Sequence, residues 1–339
     1  MSGQQPSDTM RERAGESSRL LWALLDADRW LVTAFLSVVL FASIVIGGVL
    51  VPNPGLSTGD PIETLYQALI TSTVTGVTLV LTLSQLVLSQ ELGAVGDQRE
   101  RMDGAMAFRR DVAQAINTEV SPAEPSAFLR ALVTATRDRA ETIDDTISEG
   151  SLNSNARNRV MSYLDAVTEN ADSVIEQLDG ATFGEFDVIR AALNYNYSWK
   201  LYEGRSIVEN RRDELSDGAV AELESLLAVL ELFGPAREHF KTLYFQWELS
   251  NLSRTLLYTA VPALSVAVTS LLFLDPATFD GATVGVSHVL VLVAATTTLS
   301  LLPFTILLAY MLRIVTVTKR TLSIGPFILR ETGQSDERP

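Results

Sequence analysis

A row of polar side chains crosses an otherwise apolar part of the chain and is the clearest candidate for chemistry in the sequence. Its members are Thr64, Gln67, Thr71, Thr75, Thr78, Thr82, Gln85 and Ser89. They recur every three or four positions, so on a helix that turns by about 100° per residue they share one face. Uncharged hydroxyl and amide groups can replace part of an ion's hydration shell without trapping the ion. The spacing therefore predicts the lining of an aqueous pore, and we call this row the polar stripe.

The alternative interpretation is that the polar stripe packs against another helix. Hydroxylated residues mediate helix contacts in membrane proteins. The last apolar segment offers hydroxyls that could cover part of the stripe, at Thr296, Thr297, Thr298, Ser300 and Thr305. Two features favour water over packing: the stripe includes two glutamines, and it extends over about 37 Å at a rise of about 1.5 Å per residue. Both hypotheses stay open at the level of sequence.

Four segments without Asp, Glu, Lys or Arg are long enough to cross a membrane, because about 20 apolar residues span a hydrocarbon core of roughly 30 Å. They are residues 30–51, 64–90, 255–274 and 286–312. The connections after the first and third segments contain no Lys or Arg, whereas arginines flank the opposite ends. The positive-inside rule then places both termini, and the region between the second and third segments, in the cytoplasm. We expect a multi-pass protein of the cell (cytoplasmic) membrane.

The region between the second and third segments shows apolar residues at helical spacing and no sustained two-residue alternation. We therefore predict an all-α fold of four transmembrane helices, with a cytoplasmic helical bundle inserted between spans 2 and 3. The predicted parts are a cytoplasmic N-terminal segment (1–29), transmembrane helices 1 and 2 (30–90), the cytoplasmic helical domain (91–253), transmembrane helices 3 and 4 (254–315) and a cytoplasmic C-terminal tail (316–339).

Charged residues at both ends of the polar stripe predict the mouths of the pore. Asp60 and Glu63 precede its outer end, where a ring of carboxylates favours cations. The helical register continued beyond Ser89 reaches Arg99 and Asp103, which would form charged rings at the inner mouth.

The same register predicts a gate. It brings Leu92 to the cytoplasmic end of the stripe, where an apolar ring can close a pore by dewetting. No proline separates the second span from the charged segment that follows, so we expect one helix to continue through this region. Gly93 and Gly96 are candidate hinges in it, or sites where a neighbouring helix packs against bare backbone.

The sequence offers little for catalysis or cofactor binding. The two histidines, His239 and His288, fall on opposite sides of the predicted membrane, and the chain has no cysteine. No spacing typical of a metal site, phosphate-binding loop or nucleophile elbow occurs. We expect no enzyme, no catalytic residue, no metal and no cofactor.

The charge balance is strongly acidic, with a formal net charge of −15 and arginines far outnumbering lysines. This composition is typical of proteins adapted to high internal salt, although a GC-rich genome also replaces Lys by Arg. We favour a halophilic source and expect no nucleic acid partner.

Four spans, cytoplasmic termini, a second span that enters the cytosol and a helical insert before the third span resemble the layout of bestrophin-type channels. The resemblance covers most of the chain as topology, implies a pentamer and transfers no functional residue. We therefore predict a homo-oligomeric ion channel, with lipid, further copies of the chain and inorganic ions as partners. The alternative is a membrane-anchored signalling or scaffold protein whose helical domain binds a partner and whose polar stripe packs against other helices.

Overall fold

The described part of the chain is mostly helical, which confirms the all-α prediction. The computed structural model describes residues 27–51, 60–91, 93–148, 154–182, 184, 186–279 and 281–321. Its helices are α1 (Arg29–Leu50), α2 (Asp60–Glu91), α3 (Val95–Ala115), α4 (Pro125–Ser148), α5 (Ser154–Leu178), α6 (Phe186–Asn194), α7 (Tyr197–Arg211), α8 (Asp217–Phe273), α9 (His288–Ser300) and α10 (Leu302–Thr321).

A few short elements complete the described ranges. Single 3₁₀ turns cover Arg212–Glu214 and Pro276–Phe279. Strands β1 (Ala282–Thr283) and β2 (Val286–Ser287) pair antiparallel, with Ala282 opposite Ser287. Their connection places Val284 and Gly285 at φ values of 54° and 81°, as a two-residue hairpin turn requires.

Two compact units make up the described chain. Residues 27–93 and Gln246–Val317 form one, which we call the apolar unit; Ala94–Phe245 forms the other, the hydrophilic unit. Helix α8 contributes to both.

Within the described ranges, three helices are long and apolar enough to cross a membrane, namely α1, α2 and α8. The pair α9 and α10 makes a fourth candidate if its two parts, bent by 50°, are counted as one span. The fourth segment, predicted over 286–312, thus consists of two helices that meet at Leu301. Leu301 lies between the two parts with φ −91° and ψ 0°, and Pro303 stands in the first turn of α10. Proline is tolerated in a first turn, where the missing N–H would lack a helical partner. Pro262, by contrast, lies inside α8 without ending it.

The core of the hydrophilic unit comes from the apolar faces of α4 to α7 and the first part of α8. Leu132, Val167, Leu223 and Leu230 are among its fully buried side chains. Each of these helices carries an apolar residue every three or four positions, so burying those stripes against one another removes them from water. Tyr195 and Tyr197 also lie in this core, whereas Tyr202 is exposed.

A lysine is buried within the hydrophilic unit. Lys200 has no exposed surface; its Nζ donates to Asn170 Oδ1 over 2.7 Å and lies 5.1 Å from the centroid of the Tyr195 ring. The Tyr163 hydroxyl donates to the Lys200 carbonyl over 3.0 Å. Burial raises the pKa of the Tyr163 hydroxyl well above its ordinary value, so this group remains a neutral donor. Polar groups at this depth are stabilised only by such directed contacts.

A second buried charge ties three helices of the apolar unit together. Arg29, the first residue of α1, forms an ion pair with Glu248 of α8, whose side chain is 1% exposed. The same guanidinium lies 4.5 Å from the centroid of the Tyr310 ring in α10. Asp28 caps α1 by accepting from the backbone N–H of Trp30 over 2.7 Å. These contacts fix the start of α1 against α8 and α10.

Helices α2 and α10 meet at a glycine. A Cβ at Gly76 would lie 2.9 Å from Cε1 of Phe304, which is closer than side chains pack. Phe304 comes three residues after the break at Leu301. The bare backbone of Gly76 therefore makes room for the aromatic ring that follows the bend.

We expect Gly76→Val to destabilise the apolar unit by about 1–3 kcal/mol, because the new side chain overlaps the Phe304 ring. The apparent Tm of the full-length protein in detergent measures this effect. Gly47→Val is the matched control, since no described atom lies within 4 Å of a Cβ at Gly47. Adding Phe304→Ala to Gly76→Val should restore part of the loss; equal effects of the two glycine substitutions would contradict the contact.

Arg29→Met should lower the free energy of unfolding by about 3 kcal/mol or more, because it leaves the Glu248 carboxylate buried without its cation. The control is Arg99→Met, since the Arg99 and Asp103 side chains are 83% and 71% exposed and 3.7 Å apart. An exposed pair of this kind stabilises little. The interpretation fails if both substitutions shift the apparent Tm equally.

Candidate functional site

The polar stripe lies on the exposed side of α2. All eight of its residues are exposed in the single chain. The buried residues among the described side chains of this helix are Ile62, Tyr66, Leu69, Thr73 and Val80. At about 100° per residue, the middle of this buried set lies about 180° from the middle of the stripe. The helix therefore packs with one face and presents its hydroxyls and amides on the other.

Apolar contacts hold the buried face of α2. Near its start, Ile62, Tyr66 and Leu69 pack against Ala267 of α8 and Val293 of α9. Farther along, Val80 packs with residues of α8 and α10, namely Leu252, Leu256 and Ile306. The two clusters fix the rotation of α2 about its own axis.

Polar contacts reinforce the same face. The hydroxyls of Tyr66 and Thr296 are hydrogen-bonded to each other, as are those of Ser84 and Ser253. Tyr66 and Ser84 are separated by about five helical turns, so they hold the same side of α2 at two levels. Sequence reasoning missed this pair of contacts. The signal in the sequence was that Tyr66 and Ser84 share one face of the predicted helix, on the side away from the stripe.

Three threonines of the fourth apolar segment have hydrogen-bond partners away from the polar stripe. Thr296 contacts Tyr66 on the far side of α2. Thr298 donates to the Ala294 carbonyl, and Thr305 is hydrogen-bonded to Ser37 of α1. In the ranges that the structure describes, the segment that could cover the stripe instead covers the opposite face.

The stripe hydroxyls donate to backbone carbonyls of their own helix. Each threonine bonds to the carbonyl four residues earlier: Thr64 to Asp60 (3.0 Å), Thr71 to Gln67 (3.0 Å), Thr75 to Thr71 (2.8 Å), Thr78 to Val74 (2.8 Å) and Thr82 to Thr78 (2.9 Å). Ser89 donates to the Leu86 carbonyl over 2.7 Å. Because the carbonyl has no hydrogen to give, the hydroxyl must be the donor, and its lone pairs remain for an outside group.

The two stripe glutamines cannot satisfy themselves in this way. Gln67 and Gln85 are exposed, and their amides have no hydrogen-bond partner within the described part of the chain. Each side-chain amide carries two N–H donors and an acceptor oxygen. These groups need water or a second molecule.

The residues predicted at the outer mouth lie on the first turn of α2. Asp60 and Glu63 are exposed there, where the helix dipole favours negative charge. Toward the other end, Arg99 and Asp103 form an exposed ion pair on α3.

The helix does not continue from the stripe to Arg99 as the sequence suggested. Helix α2 ends at Glu91 and α3 begins at Val95, with Ala94 extended at φ −62° and ψ 154°. The prediction of one continuous helix through this junction is therefore wrong at Gly93 and Ala94. Leu92, the predicted gate, lies outside the described residues. Gly93 is in the break and Gly96 in the first turn of α3, where no described atom lies within 4 Å of a Cβ at Gly96.

Metal-ligating residues are scattered in the described ranges. No group of three or more His, Asp or Glu side chains there could hold a metal ion. His239 is exposed on α8, and the His288 ring is hydrogen-bonded to the Thr283 hydroxyl over 2.8 Å in the β-hairpin region.

Comparison of the whole chain with known proteins gives a single assignment. Neither curated proteins nor solved structures yield a match. The bestrophin resemblance thus stays a prediction from topology. The family model DUF7972 matches residues 1–339, and the chain therefore belongs to DUF7972, a family of unknown function.

Proposed function

We propose that this protein is a homo-oligomeric ion channel of the cytoplasmic membrane, in which α2 lines the pore with the polar stripe. One observation carries the proposal: the stripe lies opposite the packed face of α2, on the surface of the apolar unit. A surface helix in a membrane has three possible neighbours, namely lipid, another chain and water. The chemistry of the stripe selects among them.

Lipid is the least favourable neighbour of Gln67 and Gln85. An amide without a hydrogen-bond partner in hydrocarbon is destabilised by several kcal/mol, on the order of 2–7. The threonines donate to their own helix and tolerate lipid better. The glutamines therefore determine which neighbour of the stripe is favourable. Water inside a ring, or contact with a second chain, stabilises both amides.

The residues beside the stripe suit a ring. Val74 and Leu79 are 50% and 61% exposed, and they lie on the two flanks of the stripe, about 60° and 80° from its centre. In a closed cyclic assembly, such apolar flanks contact the α2 helices of neighbouring copies while the stripe faces the axis. A single chain has one stripe and cannot enclose water with it.

The remaining parts have supporting roles in this proposal. Asp60 and Glu63 form the outer mouth, Leu92 forms the gate, and Arg99 and Asp103 lie beyond it. The hydrophilic unit regulates the gate, and both termini are cytoplasmic as the arginine distribution predicts.

A specific observation also favours the alternative, a membrane-anchored signalling or scaffold protein. The hydrophilic unit has a surface cavity of about 340 Å³ along one face of α7, with Tyr202, Arg205 and Glu209 in its lining. Tyr202 is 63% exposed. An exposed aromatic residue beside charges of both signs suits a protein partner.

The reactivity of introduced cysteines can show whether the stripe faces water, lipid or another chain. The chain has no cysteine, so an introduced thiol is its only one. We expect Thr71→Cys and Thr78→Cys to react in membranes with a charged, water-soluble thiosulfonate, because the reagent follows water to the stripe. Val38→Cys is the control, since Val38 is an apolar residue of α1 that is 64% exposed.

Equal protection of all three cysteines would contradict a water-filled stripe and would favour its burial between chains. Reaction at Val38→Cys would show that the reagent reaches lipid-facing positions, and stripe cysteines no more reactive than this control would also contradict the pore.

Conductance tests the function itself. In lipid nanodiscs the protein should have the mass of a ring, and in planar bilayers it should conduct. Thr78→Leu should lower the single-channel current because it replaces a hydroxyl on the pore wall with a larger apolar group, and Leu92→Ser should raise the open probability by wetting the gate. Val38→Leu, a similar enlargement on α1, should change neither. A monomer, or currents unaffected by Thr78→Leu, would contradict the proposal.

A further inference from the structure

The orientation of the stripe hydroxyls limits the charge of the ion that they can coordinate. Five threonines and Ser89 give their hydroxyl hydrogens to carbonyls of α2 over 2.7 to 3.0 Å. Each exposed oxygen then presents lone pairs only. A wall of such oxygens offers hydrogen-bond acceptors at successive levels and no hydroxyl donor.

Anions need donors, and cations need acceptors. Chloride is stabilised by N–H or O–H groups or by cationic side chains, whereas potassium and sodium replace hydration water with oxygen lone pairs. To donate outward, a stripe threonine would have to give up its helical hydrogen bond. The amides of Gln67 and Gln85 can donate, but they can also present oxygen.

The charged residues near the stripe also favour cations over anions. No Lys or Arg occurs between Arg29 and Arg99, a range that includes all of α2 and all of α1 after its first residue. Asp60 and Glu63 are exposed at the outer end. An anion entering from the outer end would meet carboxylates and, along α2, no cationic side chain.

The absence of carboxylates within the stripe indicates whether the permeant ion is monovalent or divalent. Divalent cations are held in proteins mainly by carboxylate oxygens, because neutral oxygens compensate poorly for their dehydration. Between Glu63 and Glu91 the sequence has no charged residue. Neutral hydroxyls suit ions that dehydrate easily and leave quickly.

We infer that the permeant ion is a monovalent cation and that the back-bonded hydroxyls of Thr71, Thr75 and Thr78 coordinate it. The inference rests on the proposed channel. It assigns selectivity to the stripe oxygens rather than to the carboxylates at the mouth, and this distinction can be tested because the two sets are separate in sequence.

The experiment measures reversal potentials of the full-length protein in planar bilayers under a KCl gradient. Wild type should reverse near the potassium equilibrium potential, and Asp60→Asn with Glu63→Gln should reverse at the same voltage with less current. The isosteric variant Thr71→Val, Thr75→Val, Thr78→Val should lose potassium current by roughly fivefold per hydroxyl, the factor for one net hydrogen bond. Thr→Ser at the same three positions, which keeps a hydroxyl, should retain most of it.

Each outcome has a distinct meaning. Reversal near the chloride potential or near zero overturns the cation inference but keeps the channel, as does selectivity that disappears with the two mouth carboxylates. Unchanged potassium current in the triple valine variant, with ring mass and apparent Tm preserved, overturns the assignment to the hydroxyls. Absence of current in wild type and in Leu92→Ser overturns the proposed channel and the inference together.

Discussion

One-sided packing of α2 is the constraint on which the rest of the structure depends. Ile62, Tyr66 and Val80 fix that face against α8, α9 and α10, and the opposite face is left uncovered by the described part of the chain. In a membrane, a polar group without a partner is destabilised far more than in water. The stripe hydroxyls meet this demand partly through their own backbone, and the amides of Gln67 and Gln85 do not. These amides need water or a second molecule, and the proposed oligomer would supply one or the other.

In the apolar unit, directed polar contacts determine how the helices are oriented against one another, a role that hydrophobic burial has in water. Lipid is as apolar as a leucine side chain, so apolar contact alone gives helices little reason to associate in one orientation. The hydroxyl pairs Tyr66 with Thr296 and Ser84 with Ser253, together with the ion pair of Arg29 with Glu248, supply that orientation. Each joins helices that are far apart in sequence. In the hydrophilic unit the apolar stripes of α4 to α7 are buried from water, and the buried Lys200 adds a directed contact to that core.

The most informative disagreements between sequence and structure lie at two interruptions. A local pattern predicts where a helix can form, and no proline or sustained polar run announced the break at Gly93 and Ala94. Near the second interruption Pro303 was visible, but Pro262 was equally visible inside a helix that continues through it. What distinguishes these prolines is their position, since Pro303 lies in the first turn of α10, where a missing N–H is tolerated, and Pro262 lies inside α8.

The sequence by itself determined the all-α fold, the apolar segments and the phase of the polar stripe, because these follow from the spacing of residue types along the chain. It also identified two neighbours for the stripe, water and the threonines of the last segment, without choosing between them. The tertiary structure decided that Thr296 of that segment contacts the other side of α2, at Tyr66. That choice depends on contacts between residues more than two hundred positions apart, and a local period carries no information about them.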